Sequence, residues 1–137
     1  MSEKSNKVSH LELIQATIIR MAASSFLIKG WSVTLVSAMF ALSAVAAEEK
    51  YHFVFLAYFP SIAFWILDGY YLGQEKLFRK LYDHVRKLDD AQIDFSMDTS
   101  RLGSIQETWF DGLFSWPGLI FHMVVLLSVI VVTFWNF

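Results

Sequence analysis

The chain of 137 residues has no cysteine, and it contains only two prolines and six glycines. Without cysteine it has no disulfide, no zinc-thiolate site and no thiol nucleophile. It also lacks a glycine-rich phosphate loop and the HExxH and GxSxG patterns, so the sequence predicts no catalytic residue, no metal site and no cofactor. The net charge is −2. Since no basic arm or basic-aromatic motif is present, no nucleic-acid partner is predicted either.

Charge is missing from three long stretches, which are residues 30–47, 51–67 and 112–137. A helix needs about 20 apolar residues to cross a hydrocarbon core of roughly 30 Å. The first stretch reaches that length from Phe26, because Lys29 can snorkel to the headgroups, and the second reaches it by running on to Leu72. The sequence therefore predicts an all-α integral membrane protein in one membrane domain, with three transmembrane helices over 26–47, 51–72 and 113–136.

Basic residues predict the orientation of these helices. They precede the first span and follow the second, at Lys4, Lys7, Arg20, Lys29, Lys76, Arg79, Lys80, Arg86, Lys87 and Arg101. Only Glu48-Glu49-Lys50 separates the first two spans. Short loops that carry lysine and arginine stay in the cytoplasm. We therefore expect a cytoplasmic N-terminus, an outside hairpin at 48–50, a cytoplasmic segment over 74–111 and a C-terminus outside.

The segments predicted to lie in the cytoplasm have helical patterns of their own. Ser9-His10-Leu11-Glu12 is a capping box that predicts an amphipathic helix over 9–24, either bent at Ser24-Ser25 or continuous with the first span. A stalk helix over 73–90 is expected to continue the second span, in one helix from Tyr51 to about Leu88, its apolar stripe covered by the N-terminal helix or by neighbouring subunits. The connector over 91–112 contains a second capping box at Ser104, which predicts a short interfacial helix before a turn at Asp111-Gly112.

The first span carries a seam of small and polar residues at helical spacing: Gly30, Thr34, Ser37, Ala41, Ala44 and Glu48. Small residues allow helix backbones to approach closely, so the seam predicts packing against the second span or against the same helix of another subunit. The alternative is a pore-lining face, in which Thr34 and Ser37 are wetted and Glu48 forms an acidic ring at the outer mouth.

Other polar and small residues fall inside the predicted spans. Gly69 and Gly73 form a GxxxG pair, which predicts a close helix crossing or a hinge. Asp68 is expected to lie at headgroup depth or to pair with Lys29 of another chain. His122 is interpreted as an interhelical hydrogen bonder, with a proton relay as the alternative.

The order of parts resembles the small SLATT-type membrane effectors of bacterial anti-phage defence operons. The resemblance covers about residues 8 to 90. It rests on His10–Gln15, Lys29–Thr34 and, most of all, Phe64–Leu72 with Glu75–Tyr82. It implies a protein of the bacterial inner membrane that assembles and breaches that membrane. It also implies a soluble sensor or signalling protein from the same operon as a partner.

Together these features predict a homo-oligomer in the lipid bilayer, because three spans bury little surface within one chain. We expect a pore-forming or membrane-disrupting effector. The alternatives are a non-conducting anchor for a soluble partner, bound through the cytoplasmic helices, and a proton-coupled carrier.

Overall fold

The computed structural model describes residues 5–46 and 48–136, and within them every regular element is helical. The predicted all-α class is therefore confirmed. Three segments are long and apolar enough to cross a membrane, at Asn6–Val45, Lys50–Val85 and Trp116–Trp135. Lys4 of the predicted basic tract, Ala47 at the predicted end of the first span and Phe137 lie outside the described residues. The elements in chain order are α1 (Asn6–Val45), α2 (Lys50–Leu56), α3 (Tyr58–Val85), a 3₁₀ turn (Asp90–Gln92), α4 (Ile105–Leu113) and α5 (Trp116–Asn136).

Helix α1 runs unbroken for 40 residues and joins the predicted amphipathic helix to the first span. At 1.5 Å per residue its length is about 60 Å. It begins at Asn6 instead of near Ser9, because Ser5 is the N-cap and accepts a hydrogen bond from the amide of Val8 at 3.3 Å. The amide of Lys7 donates to Asp90 at 2.8 Å. Since first-turn amides have no partner inside the helix, these two bonds extend it beyond the predicted start.

The predicted helix from Tyr51 to Leu88 is interrupted at Ala57, where α2 gives way to α3. Pro60 explains the break, since it has no N–H to donate to the carbonyl of Leu56, four residues earlier. The carbonyl of Ala57, next in the chain, accepts from both the amide of Ser61 at 3.3 Å and its hydroxyl at 2.8 Å. Helix α3 ends at Val85, three residues before the predicted end at Leu88.

After α3 the chain turns back, and α4 packs antiparallel to α3 at a crossing built from glycines. A Cβ added to Gly73 would lie 2.6 Å from the carbonyl oxygen of Thr108, and one on Gly112 would collide with the carbonyl oxygen of Gly69. The structure therefore differs from the predicted turn at Asp111-Gly112, since both residues belong to α4. Gly112 is tolerated inside the helix because only a residue without a side chain allows this approach.

Helix α5 begins at Trp116, three residues later than predicted, because Leu113 is the last residue of α4. It runs antiparallel to α3, and the hydroxyls of Tyr58 and Thr133 meet at 2.9 Å near its far end. Apolar residues of α1, the segment between α2 and α3, and α5 form one core there, at Val36, Ala57, Val125 and Val129.

A second apolar core lies along the stalk. Ile14 and Ile18 of α1 pack there against Leu81 and Val85 of α3. The connector closes over the same core with three partly buried side chains, Ile93, Met97 and Leu102. The apolar stripe of the stalk is thus covered by the chain's own N-terminal helix and connector. The polar cluster described next lies between the two cores.

Candidate functional site

A cluster of four polar side chains joins α1, α3 and α5, and the carboxylate of Asp68 is its centre. Its Oδ2 lies 2.6 Å from Nζ of Lys29 and 2.8 Å from Nε2 of His122. Its Oδ1 accepts a hydrogen bond from the hydroxyl of Ser25 at 2.5 Å. Lys29 also donates to that hydroxyl, at 2.7 Å. One carboxylate therefore holds three helices together.

The helical repeat of each element explains why these side chains converge. On α1 the buried residues are spaced 3 or 4 apart and place Ser25 on the packing face, at Ser25, Ile28, Ser32 and Val36. Lys29 follows Ser25 by one turn. Asp68 begins the buried stripe of α3 that continues through Gly69, Gly73 and Leu77. His122 shares its buried face of α5 with Val125 and Val129.

Aromatic side chains enclose the histidine. The indole of Trp65 stacks on His122 with ring centroids 6.2 Å apart and planes inclined by 13°, and Phe121 meets it edge-on at 5.1 Å. The indole N–H of Trp65 donates to the carbonyl of Leu113 at 3.0 Å, which fixes the ring. These contacts exclude solvent and strengthen the polar interactions inside the cluster.

The charges in the cluster balance when His122 is neutral. The side chains of Asp68 and His122 are each 1% exposed, while that of Lys29 is 18% exposed. Since a carboxylate can only accept, Nε2 of neutral His122 carries the hydrogen and its Nδ1 is an acceptor, which has no hydrogen-bond partner among residues 5–46 and 48–135. A buried ion pair is tolerated only when its remaining hydrogen bonds are made. Ser25 and His122 make them for Asp68.

The partner of Asp68 differs from the one predicted. The sequence suggested Lys29 of another chain, whereas the structure pairs Asp68 with Lys29 of its own chain. The reason is that α1 and α3 are neighbours in the same helical hairpin, so their polar residues meet at one level. His122, which has no acid near it in sequence, reaches Asp68 across 54 positions.

The chain matches no protein-family model, no curated protein and no solved structure. Its function is therefore proposed from the geometry and from the order of the helices along the chain.

The small-residue seam lies on the side of α1 opposite the polar cluster. Its five residues on the helix are exposed: Gly30, Thr34, Ser37, Ala41 and Ala44. Glu48 is exposed too, but it does not continue the helical seam as predicted, because α1 ends at Val45 and Glu48 lies in the turn that follows. A Cβ added to Gly30 would meet nothing within 4 Å. The seam is thus not the face that packs on the second span of the same chain, because the buried face with Ser25, Ser32 and Val36 makes that contact. The hydroxyl of Thr34 donates to the carbonyl of Gly30 at 2.9 Å, so it is satisfied within its own helix.

Two members of the site have weak sequence signals. Ser25 appears only as a possible bend residue, although its spacing of one turn from Lys29 and two turns from Ser32 places it on a common helix face. From the sequence alone, Trp65 is interpreted as an aromatic residue at the membrane interface. Chemically, the cluster is a polar contact that joins three helices, and Nδ1 of His122 has no hydrogen-bond partner among the described side chains.

Proposed function

We propose that the protein is a subunit of a homo-oligomeric pore in the bacterial inner membrane, acting as an effector in anti-phage defence. The main support for a pore is that the seam on α1 faces away from the rest of the chain. The defence context is proposed from the resemblance in the order of parts to SLATT-type effectors.

The chemistry of the seam favours contact with other copies and with water over contact with lipid. Gly30, Ala41 and Ala44 leave room for the backbone of a neighbouring helix. Ser37 offers a hydroxyl that lipid tails cannot solvate, whereas the hydroxyl of Thr34 already donates to the carbonyl of Gly30. When several copies place α1 side by side, these residues line a mildly polar path, and Glu48 lies at its outer mouth.

The buried cluster supports this arrangement by fixing how α1 is rotated. Since Ser25 and Lys29 are both bound to Asp68, the face that carries them must turn toward α3. The seam, on the opposite side of the helix, must then turn outward. In the proposed orientation the N-terminus and the stalk are cytoplasmic, and the C-terminus is outside.

Ion release from vesicles tests the proposal. Purified protein in liposomes should release a trapped monovalent ion, and Ser37→Trp should abolish the release while the oligomer still forms, because an indole fills the narrow path. Leu42→Trp is the matched control, since Leu42 is 42% exposed on a different side of α1. Vesicles that stay sealed with wild-type protein under every trigger tried would count against a pore.

A non-conducting anchor is the second candidate, and the stalk core favours it. Ile14, Ile18, Leu81 and Val85 make a folded body beyond the spans, which a soluble partner from the same operon would bind. In this case the seam only packs subunits together. Ser37→Trp should then prevent assembly, and no variant should conduct.

A further inference from the structure

His122 is the member of the Asp68 cluster whose charge can change near neutral pH. An ordinary imidazole takes up a proton at about pH 6.5, whereas a carboxylate or an amine changes its charge far from neutrality. The side chain of His122 is 1% exposed, and its Nε2 donates to Oδ2 of Asp68 at 2.8 Å. With this neutral ring the cluster has no net charge, because the cation of Lys29 offsets the carboxylate.

A proton added to the ring finds no acceptor in the folded cluster. It binds to Nδ1, which is buried and has no hydrogen-bond partner in the described part of the chain. The surroundings are aromatic, since Trp65 stacks on the ring and Phe121 meets it edge-on. The indole of Trp65 would attract the added charge, but its centroid lies 6.2 Å away, at the limit of about 6 Å for a cation–π contact. A buried N–H without an acceptor is unfavourable, so the structure disfavours the imidazolium.

The charged groups that face His122 do not compensate a second cation. Lys29 of α1 and His122 already share Oδ2 of Asp68, so an imidazolium would place two positive charges on one carboxylate oxygen. Residues 21–46, 58–74 and 116–136 contain no other Asp, Glu, Lys, Arg or His. The ionisable side chains of α4 are exposed, and those of α2 lie toward the far end of α5, where Tyr58 meets Thr133: Glu107 and Asp111 on α4, and Lys50, Tyr51 and His52 on α2. The added charge would therefore be buried and uncompensated.

An exchange of partners at Asp68 removes this excess charge. The imidazolium of His122 can take over as the cation beside Asp68, at the contact that it already makes. The side chain of Lys29 is 18% exposed, so it lies at the edge of the cluster with a route to solvent. A long lysine side chain can extend out of an apolar region and keep its charge in water. The departure of Lys29 then removes the ionic contact between α1 and α3.

We propose that proton uptake by His122 acts as a pH switch that releases α1 from α3 and α5. At neutral pH and above, Lys29 is the partner of Asp68 and α1 is held. At lower pH the imidazolium takes that place and Lys29 moves to solvent. One proton enters and one cation leaves, so the buried cluster is neutral in both states. Release of α1 would also free the rotation of the seam; this last consequence rests on the proposed pore, whereas the switch itself does not.

Thiol labelling at Ser32 measures the release. Ser32 is fully buried on the packing face of α1, and the chain has no cysteine of its own. Ser32→Cys and Val33→Cys are each treated with a small neutral thiol reagent in mixed micelles as the pH is lowered. Val33 is 45% exposed, so its labelling corrects for the ionisation of the thiol itself. We expect the ratio of the two rates, buried over exposed, to rise about tenfold per pH unit below about pH 6.5, because release takes up one proton.

Three further variants, made in both cysteine backgrounds, attribute the rise to the exchange at Asp68. His122→Gln has an amide that can donate to Asp68 but does not titrate, so the ratio should stay constant with pH. Lys29→Met removes the cation that has to leave, and the imidazolium should then replace it, so acidification should lower the ratio. His10→Gln is the matched control, because it removes another histidine that is 1% exposed, in the stalk, and it should leave the rise unchanged.

A ratio that does not rise on acidification of the Ser32→Cys protein would overturn the proposal, whatever the variants do. A rise of equal slope in His122→Gln, or a rise that His10→Gln abolishes, would overturn it as well. Where circular dichroism shows that His122→Gln has not folded, the slope in Lys29→Met decides instead, and a rise there contradicts the exchange. Since labelling needs no ion release, vesicles that stay sealed would count against the pore and leave the switch standing.

Discussion

Replacing Lys29 with methionine tests the buried cluster most directly. The substitution keeps the length of the side chain and removes the cation that lies 2.6 Å from Asp68. The carboxylate is 1% exposed and cannot regain water without opening the helices. Breaking a buried ion pair by removing one partner costs about 3–5 kcal/mol. Ser25 and His122 still donate to Asp68, so we expect the low end, about 3 kcal/mol.

Reversible unfolding in mixed micelles, followed by circular dichroism against denaturant, measures this loss. The control is Asp83→Asn, which removes an ion pair whose side chains are 57% and 60% exposed and should change the free energy of unfolding by less than about 0.5 kcal/mol. Adding Asp68→Asn to Lys29→Met should recover much of the loss, because the neutral amide no longer needs a cation. If the two substitutions lower the free energy of unfolding additively, or if Lys29→Met lowers it no more than the control does, the carboxylate of Asp68 does not hold the helices together.

Two further predictions concern the crossing of α3 with α4 and the connector. Gly112→Ala should lower the free energy of unfolding by about 1–3 kcal/mol, because its Cβ meets the carbonyl of Gly69. The matched Gly30→Ala has open space and should stabilise the isolated chain by up to about 1 kcal/mol through helix propensity; equal effects at both sites would contradict the crossing. In the connector, hydrogen bonds from Ser100 hold the pKa of Asp98 below its ordinary value of 3.8. Their stabilising contribution is complete above pH 3.8 and is lost as the pH falls through the lowered pKa. Ser100→Ala keeps the larger effect of the amide and removes only the hydroxyl bond, so it should raise the pKa of Asp98 part of the way in a carboxyl-carbon NMR titration. An unchanged pKa would refute the contribution of the hydroxyl.

Some of the site could be anticipated from the sequence. Lys29, Asp68 and His122 stand out because ionisable groups are costly in apolar helices and need partners. The pairing of Lys29 with Asp68 follows from their similar depth in adjacent spans. The contact of His122 with Asp68 could not be predicted, because it depends on how α5 is rotated about its axis and on α4 bringing the chain back along α3.

The helix boundaries show where local rules failed. Gly112 was expected in a turn, since glycine weakens helices in isolation by about 1 kcal/mol. Gly112 lies inside α4 because of its close approach to Gly69. The two residues are 43 positions apart in the chain, so no local sequence pattern could predict their contact. The break at Ala57, in contrast, has a local cause in Pro60, and the sequence contained the information to place it.

By itself the sequence determined the all-α class and the three long apolar helices. Helix hydrogen bonds are local, and stretches without charged residues can be seen directly in the sequence. It also determined the spacing of the small-residue seam on α1. Only the tertiary structure decided which face of α1 turns inward. The contacts of Ser25 and Lys29 with Asp68 set the rotation of α1, and that rotation turns the seam outward. The same packing buries His10, because its contact with the carbonyl of Ser96 depends on the connector folding back over α1 and α3.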